Sequence, residues 1–316
     1  MVYAAPQKCE LRDIPLPDLA PGMVEIEAIC SGLSRGTERL IFNGSVPESE
    51  HSRMRAPFQT GEFPFPVVYG YASVGRVVAG PEKIEGRIVF SLGPHQERLR
   101  LPADAISVLP DGVTPERAVI AANAETALNA IWDAEIPPGA RVLVVGAGLL
   151  GCLVAALLSM RLDLSVFVLD RLPQRSAKLA EFPVSFITTT ERLESVALAF
   201  HTSASAGGLQ TAMDALAFEG RVIELSWFGD STVSLRLGGS FHANRLTIQS
   251  SQVGHVARPR RMSTSHGDRL CRALELLADP RFDAFVTEEV AFEDLAEAMP
   301  RLLAQDAPGI ATRIRY

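Results

Sequence analysis

Three glycines and one acid carry the first recognisable chemistry of this chain. In RVLVVGAGLLG, Arg141 to Gly151, Gly146 ends a short apolar run, Gly148 and Gly151 follow, and Asp170 closes the next apolar run, SVFVLD. With no Cβ, Gly146 permits a tight turn, Gly148 lets the backbone approach a bound group, and Gly151 lets a helix pack on a strand. A helix opening at Leu149 and Leu150 would aim unpaired N–H groups and its positive dipole end at an anion such as a pyrophosphate. The carboxylate of Asp170 would accept from both hydroxyls of an adenosine ribose and repel a 2′-phosphate, which favours NAD(H) over NADP(H); Arg171 beside it weakens that preference. Methyltransferases share part of the glycine pattern and are the weaker alternative. Val142 to Met160 also forms an uncharged run long enough to span a bilayer. The glycines in its first half speak against a membrane helix.

Other residues suit proton transfer or anion binding. His95, in GPHQER, is a candidate general acid because an unperturbed imidazole titrates near neutrality, with a structural histidine as the alternative. The segment Asn43 to Pro66 carries Arg53 and Arg55 beside Phe58, Phe63 and Phe65. Guanidinium groups and rings suit a planar or anionic small-molecule substrate. A solvated charged loop over packed aromatics is the alternative. The run Ala257 to Arg261, ARPRR, reads as solvated or as a subunit contact.

The elements that must position these residues follow from the pattern. Short β-branched runs among Pro and Gly up to about residue 112, at Val24 to Ile29, Val67 to Val68, Val74 to Val78 and Arg87 to Phe90, predict a β domain. Thr114, Pro115 and Glu116 start a helix expected to reach Asp133. After Asp170, strands are expected at Val184 to Ile187, Arg221 to Ser226 and Leu246 to Ser251, in the alternation of a doubly wound sheet. Helices near Arg269 to Leu277 and Leu295 to Leu303 and a strand from Ala311 to Tyr316 complete the chain. Thirty basic against 37 acidic residues, a net −7, oppose nucleic acid or an anionic membrane as the main partner. The four cysteines are scattered, so reduced thiols are expected. The first residues show no signal-peptide pattern, which predicts a cytoplasmic location.

The opening stretch through SRGTE at Ser34 to Glu38, then FPFPVVYGYASVG, LPADAISVLPDGV and the glycine motif, in this order, resemble the medium-chain dehydrogenase/reductase superfamily over essentially the whole chain. SRGTE and the short length are most similar to the branch containing bacteriochlorophyllide dehydrogenase. The resemblance implies an α/β chain with a Rossmann-fold NAD(H)-binding domain, residues 123–253, inserted in a GroES-like β-barrel catalytic domain formed by 1–122 and 254–316. It also implies that the zinc ligands of metal-dependent members correspond to Ser34, Tyr71 and Ala122, which are poor zinc donors. Tyr71 would then donate to a substrate oxygen, Ser34 or Thr37 would relay a proton or cap local backbone, Glu38 would orient its neighbours with Arg35 as a partner, and Glu125 and Thr126 would lie toward the nicotinamide. The expected activity is a zinc-independent, NAD(H)-linked interconversion of a secondary alcohol and a carbonyl. An enone or quinone reductase and a catalytically silent NAD(H) sensor are the alternatives. A homodimer is expected, since Leu246 to Ser251 would be a sheet edge.

Overall fold

The computed structural model describes residues 1–316, which divide into two compact units: residues 1–122 with 270–316, and residues 123–269. No helix is long and apolar enough to cross a membrane. The apolar run around the glycines is split by their turn, leaving an 11-residue helix.

The first unit is mainly antiparallel. Its N-terminal part contains β1 (Val2–Ala5), β2 (Lys8–Glu10), the long β3 (Met23–Leu33), α1 (Arg35–Asn43), β4 (Thr60–Gly61), β5 (Val67–Val68), β6 (Ser73–Ala79), β7 (Ile88–Ser91), β8 (Arg98–Pro102), β9 (Ile106–Val108) and α2 (Pro115–Ala118). Thr114 caps α2, accepting from the Arg117 N–H, with Pro115 at the first helical position. The single helix expected from here to Asp133 is interrupted. Ile120 N–H bonds the Arg117 carbonyl in a tighter turn, and α3 restarts at Ala121–Ala134.

The second unit holds a parallel sheet. Its elements are β10 (Arg141–Val145), α4 (Leu149–Ser159), β11 (Ser165–Leu169), β12 (Ser185–Ile187), β13 (Val196–His201), α5 (Ala206–Asp214), β14 (Leu216–Glu224), α6 (Ser240–Ala243) and β15 (Thr247–Ser250). The strand order is β12-β11-β10-β13-β14-β15. Covered on both faces, its central strands are apolar along their length, as Val142, Leu143, Val144, Ala199 and Phe200 show at 0% exposure. Helix α4 is buried from Gly151 to Ser159 and packs on β10 and β11. The strand β13 lies at the centre of the sheet and was not among the runs picked out above.

The chain then enters α7 (His266–Leu276), β16 (Val286–Ala291), α8 (Leu295–Leu302) and β17 (Ala311–Arg315). Strand β17 pairs antiparallel with β3, Ile314 opposite Ser31, which joins the two ends of the chain in one seven-stranded sheet. This return falls at Leu270, not at residue 254. Arg269, 1% exposed, explains the shift: its guanidinium bonds Glu125, Asn129 and the carbonyls of Val253 and His255, which fastens 253–269 to α3 within the second unit.

Candidate functional site

In the second unit the glycine turn is built by exclusion. Gly146 has φ +104°, and a Cβ on it would lie 2.9 Å from Thr202 Oγ1 and 3.0 Å from Ser203 N. A Cβ on Gly151 would fall 1.7 Å from the Gly146 carbonyl oxygen, so no side chain fits. Thr202 Oγ1 shares its one proton between the Val145 and Gly146 carbonyls and locks the turn. Around Gly148 the situation is opposite, with nothing within 4 Å of a Cβ position. Gly148 is the N-cap of α4 and supplies no side-chain cap, so the first N–H groups of that helix face an open cradle edged by the half-buried Leu149 and Leu150. That combination fits a pyrophosphate.

Asp170 is 7% exposed, and its carboxylate is already engaged. It accepts from Ala147 N–H at 2.7 Å, Leu172 N–H at 2.8 Å and Arg175 Nη1 at 3.0 Å. The residue therefore braces the glycine turn as well as marking the end of β11. With about four lone-pair sites on a carboxylate, about one is left for a ribose hydroxyl. Arg171 is exposed beside it. On α3, Thr126 is half-buried, and Glu125 is buried in the ion pair with Arg269, Nε to Oε1 2.9 Å. Burial raises the Glu125 pKa against the pull of Arg269.

In the first unit, β3 delivers Ser34 to the start of α1. Ser34 is the N-cap residue, but its hydroxyl makes no capping bond; it accepts from Tyr71 OH instead. Tyr71 also hydrogen-bonds Thr37. Burial pushes the Tyr71 phenol up to about 12, with the Ser34 and Thr37 bonds pulling the other way. The phenol is therefore protonated at neutral pH and is a donor.

Behind this pair lies a fully buried polar chain centred on Glu38, at 0% exposure. Glu38 accepts from Ser34 N–H at 2.7 Å and from Tyr3 OH at 2.6 Å, and lies 2.9 Å from His95 Nε2. Burial alone would raise its pKa; the attraction of His95 and the bonds from His95, Tyr3 and Ser34 outweigh burial and hold it below the usual carboxylate value. On its other side, His95 Nδ1 lies 2.9 Å from Ser31 Oγ, which meets Tyr316 OH at 3.0 Å. Gly70, φ +124°, must lack a side chain because a Cβ would sit 2.9 Å from His95 N and Cδ2.

Tyr71, Ser34 and Thr37 are thus brought together, and His95 reaches them through Glu38. Arg35 is elsewhere engaged, donating to the carbonyls of Ala307 and Gly309. Arg53 pairs with Glu50, and Arg55 with Glu62 and the Gln59 and Gly61 carbonyls. Phe63 of the same segment is buried against His51 and Tyr69. Sequence reading missed Tyr3, Ser31 and Tyr316, and it also missed a second buried histidine, His201, at the end of β13. The signals were a lone Tyr near the N-terminus and a His closing the apolar run VALAF.

The zinc positions that the resemblance implies present two hydroxyls, from Ser34 and Tyr71, and the methyl of Ala122. No group of three His, Cys, Asp or Glu side chains converges to hold a metal ion. Zinc takes thiolate, imidazole and carboxylate ligands in a tetrahedron, and this donor set does not fit it.

A parallel sheet with this strand order, a glycine turn and an open helix N-terminus defines a Rossmann nucleotide-binding unit. Inserted in sequence between the two parts of an antiparallel unit, it gives the chain the medium-chain dehydrogenase/reductase type of fold. Comparison with known proteins agrees. Residues 144–216 match the NAD(P)-binding Rossmann-like domain family. The chain is 30% identical over 175 residues to 2-desacetyl-2-hydroxyethyl bacteriochlorophyllide A dehydrogenase of Rhodobacter capsulatus. That alignment covers 50% of this chain and 51% of the relative, so the chain matches about half the length of the curated relatives. Among solved structures, an alcohol dehydrogenase from Escherichia coli complexed with NADH superposes with a TM-score of 0.75 at 16% identity, covering 100% of this chain and 98% of the other. A zinc-binding-type dehydrogenase from Sinorhizobium meliloti bound to NADP gives 0.77 at 13% identity over 100% and 98%.

Proposed function

We propose that this chain is an NAD(H)-linked oxidoreductase that interconverts a secondary alcohol and a carbonyl on a small molecule without a metal ion. The observation that carries the reading is the Tyr71–Ser34 hydroxyl pair, held by buried Glu38 where the resemblance implies metal ligands. A bound nicotinamide dinucleotide supplies hydride donation and acceptance. The chain's own residues do the rest. The glycine turn and the N-terminus of α4 hold the pyrophosphate, and Asp170 offers its remaining lone pair to the adenosine ribose. Negative charge building on a substrate oxygen needs a donor, and Tyr71, whose phenol burial keeps protonated at neutral pH, is one. The dehydrogenase names of the relatives support oxidoreduction in general, and bound NADH or NADP in the structural neighbours supports a nicotinamide cofactor. We further take the chain to act in the cytoplasm as a homodimer joined through the β15 edge.

The test is metal analysis of the purified protein together with NADH oxidation against a panel of ketones and enones. Turnover of a ketone with substoichiometric zinc supports the reading. Stoichiometric zinc that chelation removes together with activity overturns it, and turnover of enones alone replaces it with the C=C reductase. Light scattering that shows a monomer would refute the dimer.

A further inference from the structure

Where β13 and β14 end, the second unit carries a polar assembly that the proposed function has not used. His201 and Glu224 are the last residues of their strands and stand opposite one another in the parallel register. His201 is 0% exposed, and its Nδ1 lies 2.7 and 2.9 Å from the two Glu224 oxygens. Its Nε2 lies 2.7 Å from Ser203 Oγ, and Ser203 is exposed. The assembly is braced on every side. Ser226 N–H donates to Glu224 at 2.7 Å, Phe228 stacks on the imidazole with centroids 6.2 Å apart, and Ser205, the N-cap of α5, meets Ser203 Oγ at 2.9 Å. Two local features turn Ser203 onto the histidine. Ala204 adopts φ +49°, uncommon for a residue with a side chain, and a Cβ on Gly208 would fall 2.2 Å from Ser203 Oγ and 2.9 Å from His201 Nε2.

The position of this assembly assigns it a ligand. Strand order reverses between β10 and β13, and a dinucleotide crosses an open parallel sheet at that point, one mononucleotide on each side. Asp170, on β11's side, marks the adenosine half. The other half then lies over the ends of β13 and β14. Ser203 borders the glycine turn, since its N and Cα come within 3.0 and 3.1 Å of a Cβ position on Gly146.

Resting on the nicotinamide-cofactor reading, we propose that Ser203, oriented by His201 and Glu224, binds a hydroxyl of the second ribose, the one that carries the redox base. Hydrogen-bond chemistry selects a hydroxyl over a phosphate. Glu224 accepts at Nδ1, so the tautomer that fits this geometry carries its proton there and presents the Nε2 lone pair to Ser203. Ser203 donates its one proton there, and Ser205, whose oxygen already accepts from Gly208 N–H, donates to one Ser203 lone pair. That leaves one lone pair on the hydroxyl of Ser203, an exposed residue, unused by these bonds. A ribose hydroxyl can donate to it; a phosphate oxygen has nothing to donate and is repelled. Ser203 is the binding residue, and His201 and Glu224 are positioning residues.

A ligand series tests this by calorimetry on the full chain: ADP, which lacks the second ribose; ADP-ribose, which has it; and NADH. Ser203→Ala should weaken ADP-ribose and NADH alike by about ten-fold, the effect of one lost hydrogen bond, and leave ADP unchanged. Glu224→Gln, which blurs the imidazole tautomer without removing Ser203, should weaken the same two ligands by about three-fold and again spare ADP. A merely structural role would shift ADP with the others, because the glycine turn would loosen; that result overturns the proposal. Unchanged ADP-ribose affinity in Ser203→Ala overturns it as well, while leaving the cofactor reading intact. Wild-type protein that binds neither ADP-ribose nor NADH refutes the cofactor reading itself, and the ribose contact with it.

Discussion

Replacing Glu38 by Gln tests the buried chain that holds the Tyr71–Ser34 hydroxyl pair. The carboxylate takes bonds from Ser34 N–H and Tyr3 OH at 2.7 and 2.6 Å and faces His95 Nε2 at 2.9 Å, all out of solvent. An amide of the same shape offers one oxygen and turns an NH₂ toward a donor, so at least one buried donor is left without an acceptor. That costs about 1–3 kcal/mol, and losing the charge from the remaining bonds adds about 1 kcal/mol, so about 2–4 kcal/mol is expected at pH 7. The pH dependence has a fixed sign. Glu38 has a folded-state pKa below its unfolded value, so its contribution is complete above the ordinary carboxylate range and is lost as pH falls through the depressed folded value. The gap between wild type and Glu38→Gln should therefore be widest near neutrality and close in acid. Urea unfolding followed by tyrosine near-ultraviolet circular dichroism is the assay. The four tyrosines, Tyr3, Tyr69, Tyr71 and Tyr316, all lie in the first unit, whereas both tryptophans, Trp132 and Trp227, lie in the second. A destabilisation below about 1 kcal/mol, or one that does not change between pH 7 and acid, would refute the description of Glu38 as a charged hub.

Tyr71→Phe should slow the hydride-transfer step by about 100-fold or more in stopped flow, with NADH affinity within about two-fold of wild type; an unchanged rate would make the phenol structural. Gly151→Ala drives a Cβ into the Gly146 carbonyl, so NADH binding by fluorescence titration should be abolished while the tyrosine dichroism of the first unit persists. Asp170→Asn should move the ratio of NADH to NADPH affinity toward NADPH by about ten-fold, because Arg175 then loses its counter-charge beside the ribose site. Wild-type protein that already binds NADPH more tightly than NADH would show that Arg175 and Arg171 set the cofactor choice.

Much of the nucleotide unit was legible because its constraints are local. Gly151 is dictated by the Gly146 carbonyl in the same turn, and the apolar runs of β10 and β11 flank that turn directly, whereas the exclusion at Gly146 comes from Thr202 and Ser203, far along the chain. The job of Asp170 was only partly legible. Its spacing marks the end of β11, but its occupation by Ala147, Leu172 and Arg175 depends on how the turn folds back. Glu38 is the reverse case. SRGTE stands out as a motif of the resemblance, yet the partners that define Glu38 come from Tyr3 and from His95, 57 residues downstream, and no local pattern joins them. Arg35, within the same motif, looked the better partner and goes instead to the carbonyls of Ala307 and Gly309.

The missed strand β13 has a more instructive cause. VALAFH is a short apolar run, but it follows polar TTERLES and runs into Thr202, Ser203 and Ser205 with no glycine or proline directly bounding it, so nothing local sets it apart from a loop. The sheet itself requires it. A doubly wound unit whose first strand is β10 needs a partner on the side opposite β11, and β13 supplies that partner in register from Val142 with Leu198 to Val145 with His201. Its length then fixes where its terminal side chain emerges: beside the glycine turn and opposite Glu224 on the next strand. A histidine that looks unremarkable at the end of an undetected strand becomes, once that strand is placed, the residue that decides which way the hydroxyl of Ser203 points.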